Sequence, residues 1–191
     1  MIILASASPR RKMLLESAGC VLVTEPADID EVREAGESPE AFVQRLSTSK
    51  AMTVYRRHMG EHHQIVAADT IVVHAGEILG KPKDAADAKR MIMALSGDVH
   101  SVWTGVCVIN AWSGEKNAFV CETRVHFCSL DEHKIDGYLA TGEPFDKAGS
   151  YGIQGKAARF VRRIEGSYTN VVGLPLCETI EVLDMMNSEK K

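Results

Sequence analysis

The sequence predicts a mixed α/β fold with two lobes, and three observations carry that prediction. Short apolar runs alternate with capped amphipathic segments through the first half of the chain, as strand–helix units do. A long hairpin pattern follows, residues 99–112 and 117–130 around Ser113-Gly114-Glu115-Lys116. The length, 191 residues with 45% apolar and 25% charged composition, suits one full hydrophobic core and leaves little room for two independent domains. A single domain over residues 1–191 is therefore expected.

Each element has its own warrant. Residues 2–5 form an apolar run that fits a buried strand, and Ser6-Ala7-Ser8-Pro9 opens a helix, with serine as cap and proline in the first turn. That helix carries Met13, Leu14 and Leu15 and stops at Gly19. Residues 21–24 read as a second strand, and 26–37 as an acidic irregular stretch with Asp28, Asp30, Glu31 and Glu34. Ser38-Pro39 repeats the cap signal for a helix to about His58. Residues 65–73 are a strongly apolar strand that turns at His74-Ala75-Gly76-Glu77 into Ile78-Leu79. Asp84 caps a helix with an apolar face of Ala88, Met91, Ile92 and Leu95, ending at Gly97. After the hairpin come a short helix at 131–140, a glycine-containing loop at 145–155, a strand at 159–164 and a final helix at 175–186.

Composition narrows the function classes. Lys plus Arg total 22 and Asp plus Glu 26, a net charge of −4, which argues against a broad nucleic-acid surface but allows a small basic pocket. No apolar stretch approaches the roughly 18 residues of a membrane span, and the N-terminus lacks the basic region of a secretion signal. The cysteines at 20, 107, 121, 128 and 177 are odd in number and lack any C-x-x-C spacing. That pattern predicts reduced cytoplasmic thiols with neither a disulfide framework nor a zinc site.

Several residues fit a plain structural role poorly. Arg10 and Arg11 oppose the positive end of the helix dipole that Ser8 caps. They are either solvated on an ordinary helix or help seat an anion there. Lys50 lies in the apolar stripe Phe42, Leu46, Val54, so it either snorkels or points into a polar site. Asp69 interrupts the apolar strand with a carboxylate that needs a partner, which favours a functional role over a structural salt bridge. Gly80-Lys81-Pro82 presents a lysine on a tight turn, and residues 143–155 are rich enough in glycine and polar groups to wrap a ligand. His62-His63 reads as a solvent-facing loop, Trp103 and Trp112 as strand packing, and Arg159, Arg162 and Arg163 as a solvated strand face. The chain lacks a G-x-x-x-x-G-K-S/T phosphate loop, H-E-x-x-H, G-x-S-x-G and a strand-linked G-x-G-x-x-G. What remains is a set of separated cations and carboxylates, the ingredients of a metal–polyphosphate site.

These segments resemble the Maf family over nearly the whole chain. The likeness rests on Ser6-Ala7-Ser8-Pro9-Arg10-Arg11, Ala68-Asp69-Thr70-Ile71-Val72, Gly80-Lys81-Pro82, and Leu95-Ser96-Gly97 with His100 and Thr104-Gly105-Val106. It extends through Asp146-Lys147-Ala148-Gly149-Ser150-Tyr151-Gly152-Ile153-Gln154-Gly155 and Gly166-Ser167-Tyr168-Thr169-Asn170-Val171-Val172-Gly173-Leu174-Pro175, in that order. The resemblance implies an inosine-triphosphatase-like fold, two lobes around a central cleft, and commonly a homodimer. It implies a hydrolase of acid anhydrides that converts a nucleoside triphosphate to the monophosphate and pyrophosphate with Mg²⁺ or Mn²⁺, clearing cellular nucleotide pools. Carried over by position, Ser8, Arg10, Arg11, Lys50 and Lys81 would bind phosphates. Asp69 would be the proton acceptor, and Glu31 with Asp69 would hold the metal, although Asp30 is a neighbouring acid. Arg10, Thr70 and Gln154 would set substrate preference. The Tyr151–Gly155 form resembles the branch acting on dTTP and UTP. Two alternatives are a pyrophosphatase for modified purine nucleotides such as 7-methyl-GTP, and a non-catalytic nucleotide-binding regulator of septum formation.

Overall fold

In the computed structural model, which describes residues 1–188, the chain opens with strand β1 (Ile2–Leu4), helix α1 (Pro9–Ser17) and strand β2 (Leu22–Thr24). Helix α2 (Pro39–Tyr55), strands β3 (Gln64–His74) and β4 (Glu77–Leu79) and helix α3 (Ala85–Leu95) follow. The hairpin is β5 (Val99–Asn110) and β6 (Lys116–Phe127), then come α4 (Glu132–Leu139), β7 (Val161–Glu165), α5 (Tyr168–Val172) and α6 (Leu176–Ser188). The seven strands form one mixed sheet in the order β2-β1-β3-β5-β6-β7, with β4 paired to β3. β1 runs parallel to both β2 and β3, while β4 on β3 and β7 on β6 are antiparallel. This is the α/β class that the alternating pattern predicts. The single-domain reading extends over residues 189–191, which lie outside the described residues. The remainder divides into two compact units.

The first unit comprises Met1–Asp69, Thr104–Cys121 and the chain from Gly173 onward. Its strands have both faces covered, and the period of two sorts their residues. Ile2, Leu4, Val66, Ala68, Val106 and Val108 pack with Leu15 of α1 and Leu183 and Met186 of α6. The intervening Ile3, Ala5, Ile65, Ala67, Cys107 and Ile109 pack with Ala51 and Val54 of α2. α2 packs tightly on Gly105: a Cβ there would overlap the Val43 carbonyl and stand 2.8 Å from the Gln44 nitrogen. The second unit, Thr70–Trp103 and Glu122–Val172, has its own core of Val72, Leu79, Met91, Ile92, Leu95, Val102, Val125, Phe127, Tyr138 and Phe160.

Several element ends differ from the sequence reading. α2 stops at Tyr55, β5 at Asn110 and β6 at Phe127. Asn110 explains the second. Its Oδ1 accepts from the Trp112 and Ser113 nitrogens at 3.0 and 3.3 Å, closing a turn where the strand was expected to continue. Trp112 is therefore not strand packing: it is 59% exposed in that turn and stacks on His62 at 4.3 Å. The loop after α4 holds three 3₁₀ turns, Glu143–Asp146, Ala148–Ser150 and Lys156–Phe160. All five cysteines are free thiols, and no described helix is long and apolar enough to cross a membrane.

Candidate active site

The turn from β1 into α1 supplies the first group. Ser8 is extended (φ −69°, ψ 115°) and its hydroxyl accepts from the Arg11 nitrogen, with Pro9 opening the helix. The other first-turn N–H groups of such a helix have no intrahelical acceptor, which suits an anion. Arg11 folds back over this turn. Its Nε donates to the Gly173 carbonyl at 2.8 Å and its Nη1 to the Ser6 hydroxyl at 3.0 Å. Ser6 is itself buried and also accepts from the Ser8 nitrogen at 3.2 Å. Burial holds the Arg11 guanidinium below its ordinary pKa; Asp69 and Glu31 oppose that shift, and Arg10 adds to it. A guanidinium remains charged despite such a shift.

The second group stands on α2 and β3. Asp69 follows Ile65 and Ala67 at the strand period, so it lies on the sheet face that α2 covers. Lys50 follows Leu46 and precedes Val54 at the helix period, on the buried stripe of α2. The two meet: Lys50 Nζ is 2.5 Å from Asp69 Oδ1 and 2.7 Å from Glu31 Oε1. Lys50 therefore does not snorkel to the surface but points at a carboxylate pair. Glu31, not Asp30, makes this contact; Asp30 instead accepts from the Val32 nitrogen at 3.2 Å. Lys50 and Asp69 are almost buried, whereas the Glu31 side chain is 58% exposed. The first unit thus holds Ser8, Arg10, Arg11, Glu31, Lys50 and Asp69; Lys50 pairs with both carboxylates, and both act electrostatically on Arg11.

The remaining predicted residues belong to the second unit. Thr70 follows Asp69 on β3, so its side chain points to the opposite sheet face. Lys81 is exposed in the turn after β4, and the Gly80 carbonyl accepts from the Gly149 nitrogen at 3.1 Å, tying this turn to the glycine loop. Gly149 and Ser150 are both left-handed (φ 66° and 60°), and the buried Ser150 hydroxyl lies 3.2 Å from Met91 Sδ. A non-glycine residue in that region is strained and is held by its surroundings. Gln154 is exposed in the same loop.

Four residues of the family-like motifs, Ser6, His100, Gly105 and Gly173, had no role assigned from sequence, and the fold shows what each holds in place. Ser6 and the Gly173 carbonyl orient Arg11, and Gly105 seats α2. His100, buried in the second unit, places Nε2 2.8 Å from the Tyr151 hydroxyl and its ring edge-on to Phe127 and Tyr151. Burial drives its pKa down from 6.5 to about 3, so the ring is neutral at physiological pH. The available signal for His100 was its register, since it shares the period-two face of Val102, Val106 and Val108.

Two carboxylates converging on one cationic centre also bear on a metal ion. Among the described residues no group of three or more His, Cys, Asp or Glu side chains forms a protein-only cage. Magnesium-type ions are commonly held by one or two carboxylates, with substrate phosphates and water completing the shell. Glu31 and Asp69 fit that smaller donor set, and the Lys50 ammonium marks the point where both carboxylates meet positive charge.

Similarity to known proteins extends over nearly the whole chain. The family model described as Maf-like protein matches residues 1–186. A dTTP/UTP pyrophosphatase of Citrifermentans bemidjiense is 52% identical over 190 residues, covering 98% of this chain and 96% of that protein. A dTTP/UTP pyrophosphatase of Geotalea uraniireducens is 51% identical over 190 residues, covering 98% and 95%. One from Shewanella denitrificans is 48% identical over 193 residues, covering 96% and 95%.

Proposed function

The chain belongs to the Maf family, and from that premise we propose that it is a nucleoside triphosphate pyrophosphatase acting on dTTP and UTP. The observation that carries this reading is the Lys50 ammonium gripping Asp69 and Glu31, on an assembly that shares electrostatics with Arg11 at the mouth of α1. A site of this kind combines an anion seat, cations to offset phosphate charge and a carboxylate able to take a proton.

The roles follow from the chemistry. The N–H groups of the first α1 turn, Ser8, Arg10, Arg11 and Lys50 bind the phosphates and offset charge that grows in the transition state, and Lys81 joins them. Water attacks the α-phosphorus while Asp69 accepts its proton. The bond from the α-phosphorus to the bridging oxygen breaks, and pyrophosphate leaves with the nucleoside monophosphate as the other product. Glu31 and Asp69 would hold Mg²⁺ or Mn²⁺, which supplies further charge neutralisation when bound. Arg10, Thr70 and Gln154 set preference for the pyrimidine. Polar contacts to a base edge discriminate because the wrong base leaves them unpaired.

The reading includes a small-molecule substrate, no nucleic-acid partner, a homodimer and a cytoplasmic location, the last supported by the free thiols. Release of pyrophosphate by purified protein with Mg²⁺ or Mn²⁺, across dTTP, UTP, CTP, GTP and 7-methyl-GTP, tests it. Turnover is expected to be fastest on dTTP and UTP. Absence of pyrophosphate on every nucleotide would point to a binding regulator, and preference for the modified purine would point to the other family branch.

A further inference from the structure

Gln154 stands between two glycines, Gly152 and Gly155, and the second unit shows why both positions lack a side chain. A Cβ on Gly152 would lie 2.7 Å from Cε of Lys147 and 2.9 Å from its Cδ. A Cβ on Gly155 would overlap the Glu143 carboxylate. The stem of Lys147 and the carboxylate of Glu143 therefore lie directly against the backbone on either side of Gln154.

Glu143 does more than fill space. Its Oε2 accepts from the Lys156 backbone nitrogen at 2.9 Å, and its Oε1 accepts from the Tyr138 hydroxyl at 3.0 Å. Tyr138 is fully buried, edge-on to Phe160, and its hydroxyl accepts from the Gly152 nitrogen at 3.3 Å. Lys147 Nζ in turn donates to the Glu143 carbonyl at 2.8 Å. The turn 152–155 closes on itself through Gly155 N–H to the Gly152 carbonyl at 3.0 Å. One carboxylate on a buried tyrosine thus fixes the backbone just after Gln154, and the tyrosine fixes it just before. The Gln154 side chain makes no hydrogen bond among the described residues, so its amide is available to a ligand while its backbone is clamped.

We propose that Glu143 is a positioning residue for base selection, acting with Tyr138 to hold Gln154 at the place where it meets the nucleobase. The proposal rests on the reading of Gln154 as a base contact. A carboxylate suits the role because its two oxygens accept from two donors at once; an amide of the same shape offers one oxygen and turns a donor toward the other N–H.

The test compares Glu143→Gln, Tyr138→Phe, Gln154→Ala and the double variant Glu143→Gln/Gln154→Ala, with kcat and KM measured for dTTP and for CTP and GTP. Misplacement of a contact group by about 1 Å costs up to about a hundredfold. Glu143→Gln is therefore expected to lower kcat/KM for dTTP by about tenfold, mostly through KM, and to narrow the gap to CTP and GTP. Glu143→Asp is expected to restore part of the preference, and the double variant to be no worse than Gln154→Ala alone. Tyr138→Phe keeps the ring in the core and gives the same readout should Glu143→Gln fail to fold. If Gln154→Ala narrows the preference but Glu143→Gln and Tyr138→Phe slow all nucleotides in parallel, the positioning role is overturned and the base contact stands. If Gln154→Ala leaves the preference unchanged, the base contact falls and this proposal with it.

Discussion

The Lys50–Asp69–Glu31 group and the loop around Gln154 are built in opposite ways. In the first, α2 and β3 present Lys50 and Asp69 from regular elements, and two periodicities bring them face to face. In the second, a segment of short 3₁₀ turns is shaped by glycines, a left-handed serine and side chains that bond to backbone. Regular elements place a charge reproducibly because many backbone hydrogen bonds must fail before it moves. A loop can change its side chains without disturbing the sheet. On the proposed reading, the first region carries the proton transfer and the second takes part in the choice of base.

Substitutions in the two regions should therefore fail differently. The largest effect is expected for Asp69→Asn, which leaves the shape intact but removes the proposed proton acceptor. Loss of a general base costs about 10³-fold in kcat, and circular dichroism should report an unchanged fold. A near-normal rate would remove Asp69 from that role and break the division. Lys50→Met comes next. Removing one partner of a buried ion pair costs about 3 kcal/mol, measurable by urea denaturation, together with a loss of turnover on every nucleotide. An exposed pair would lose far less.

Gly105→Ala tests the scaffold itself. The new Cβ must push α2 away from β5, and overpacking of this kind costs about 2 kcal/mol. At this chain length that lowers Tm by about 4–8 °C. Because Lys50 is carried on α2, activity should fall on all substrates in parallel, with no change in base preference. A shift in preference would show that the scaffold of the first region also governs selection.

A pH dependence that leaves stability near neutral pH almost unchanged belongs to the second region. The His100 pKa lies at about 3 in the folded chain, lowered first by burial and then by His74, with Asp98 opposing. In the unfolded chain it titrates near its ordinary value of 6.5. Below that value the unfolded state binds a proton that the folded state refuses, so stability falls with acid and recovers as pH rises. Between pH 7 and pH 5 this amounts to about 2 kcal/mol. His100→Gln, compared with the parent by urea denaturation at both values, should lose less stability on acidification. An equal loss would mean that other groups carry the acid sensitivity.

The two regions also differed in how far they could be read from sequence. Ser8-Pro9 and Ser38-Pro39 marked both helix starts because a cap is a local signal. Lys50 and Asp69 stood out as charges in apolar patterns, but their meeting required knowing that α2 covers the odd-numbered face of β3, which no local signal states. Glu31 could not be separated from Asp30 for the same reason: adjacent residues differ by a direction that only the folded chain fixes. The loop beyond Gly142 reads from sequence as a candidate ligand-binding segment, yet the side-chain bonds that hold it, Tyr138 to Glu143 and Lys156 N–H to Glu143, follow no sequence period. α5 escaped because it is a single short turn, and Trp112 because Asn110 ended the strand with its own side chain.

The bare backbone at Gly105 acts as a keyway. With the Val43 carbonyl resting in it, α2 lies nearer β5 than any side chain at that position would allow, so the height of its buried ammonium above the sheet depends on a residue that carries no chemistry. A missing side chain is thus the gauge for a charge roughly two helical turns away along α2.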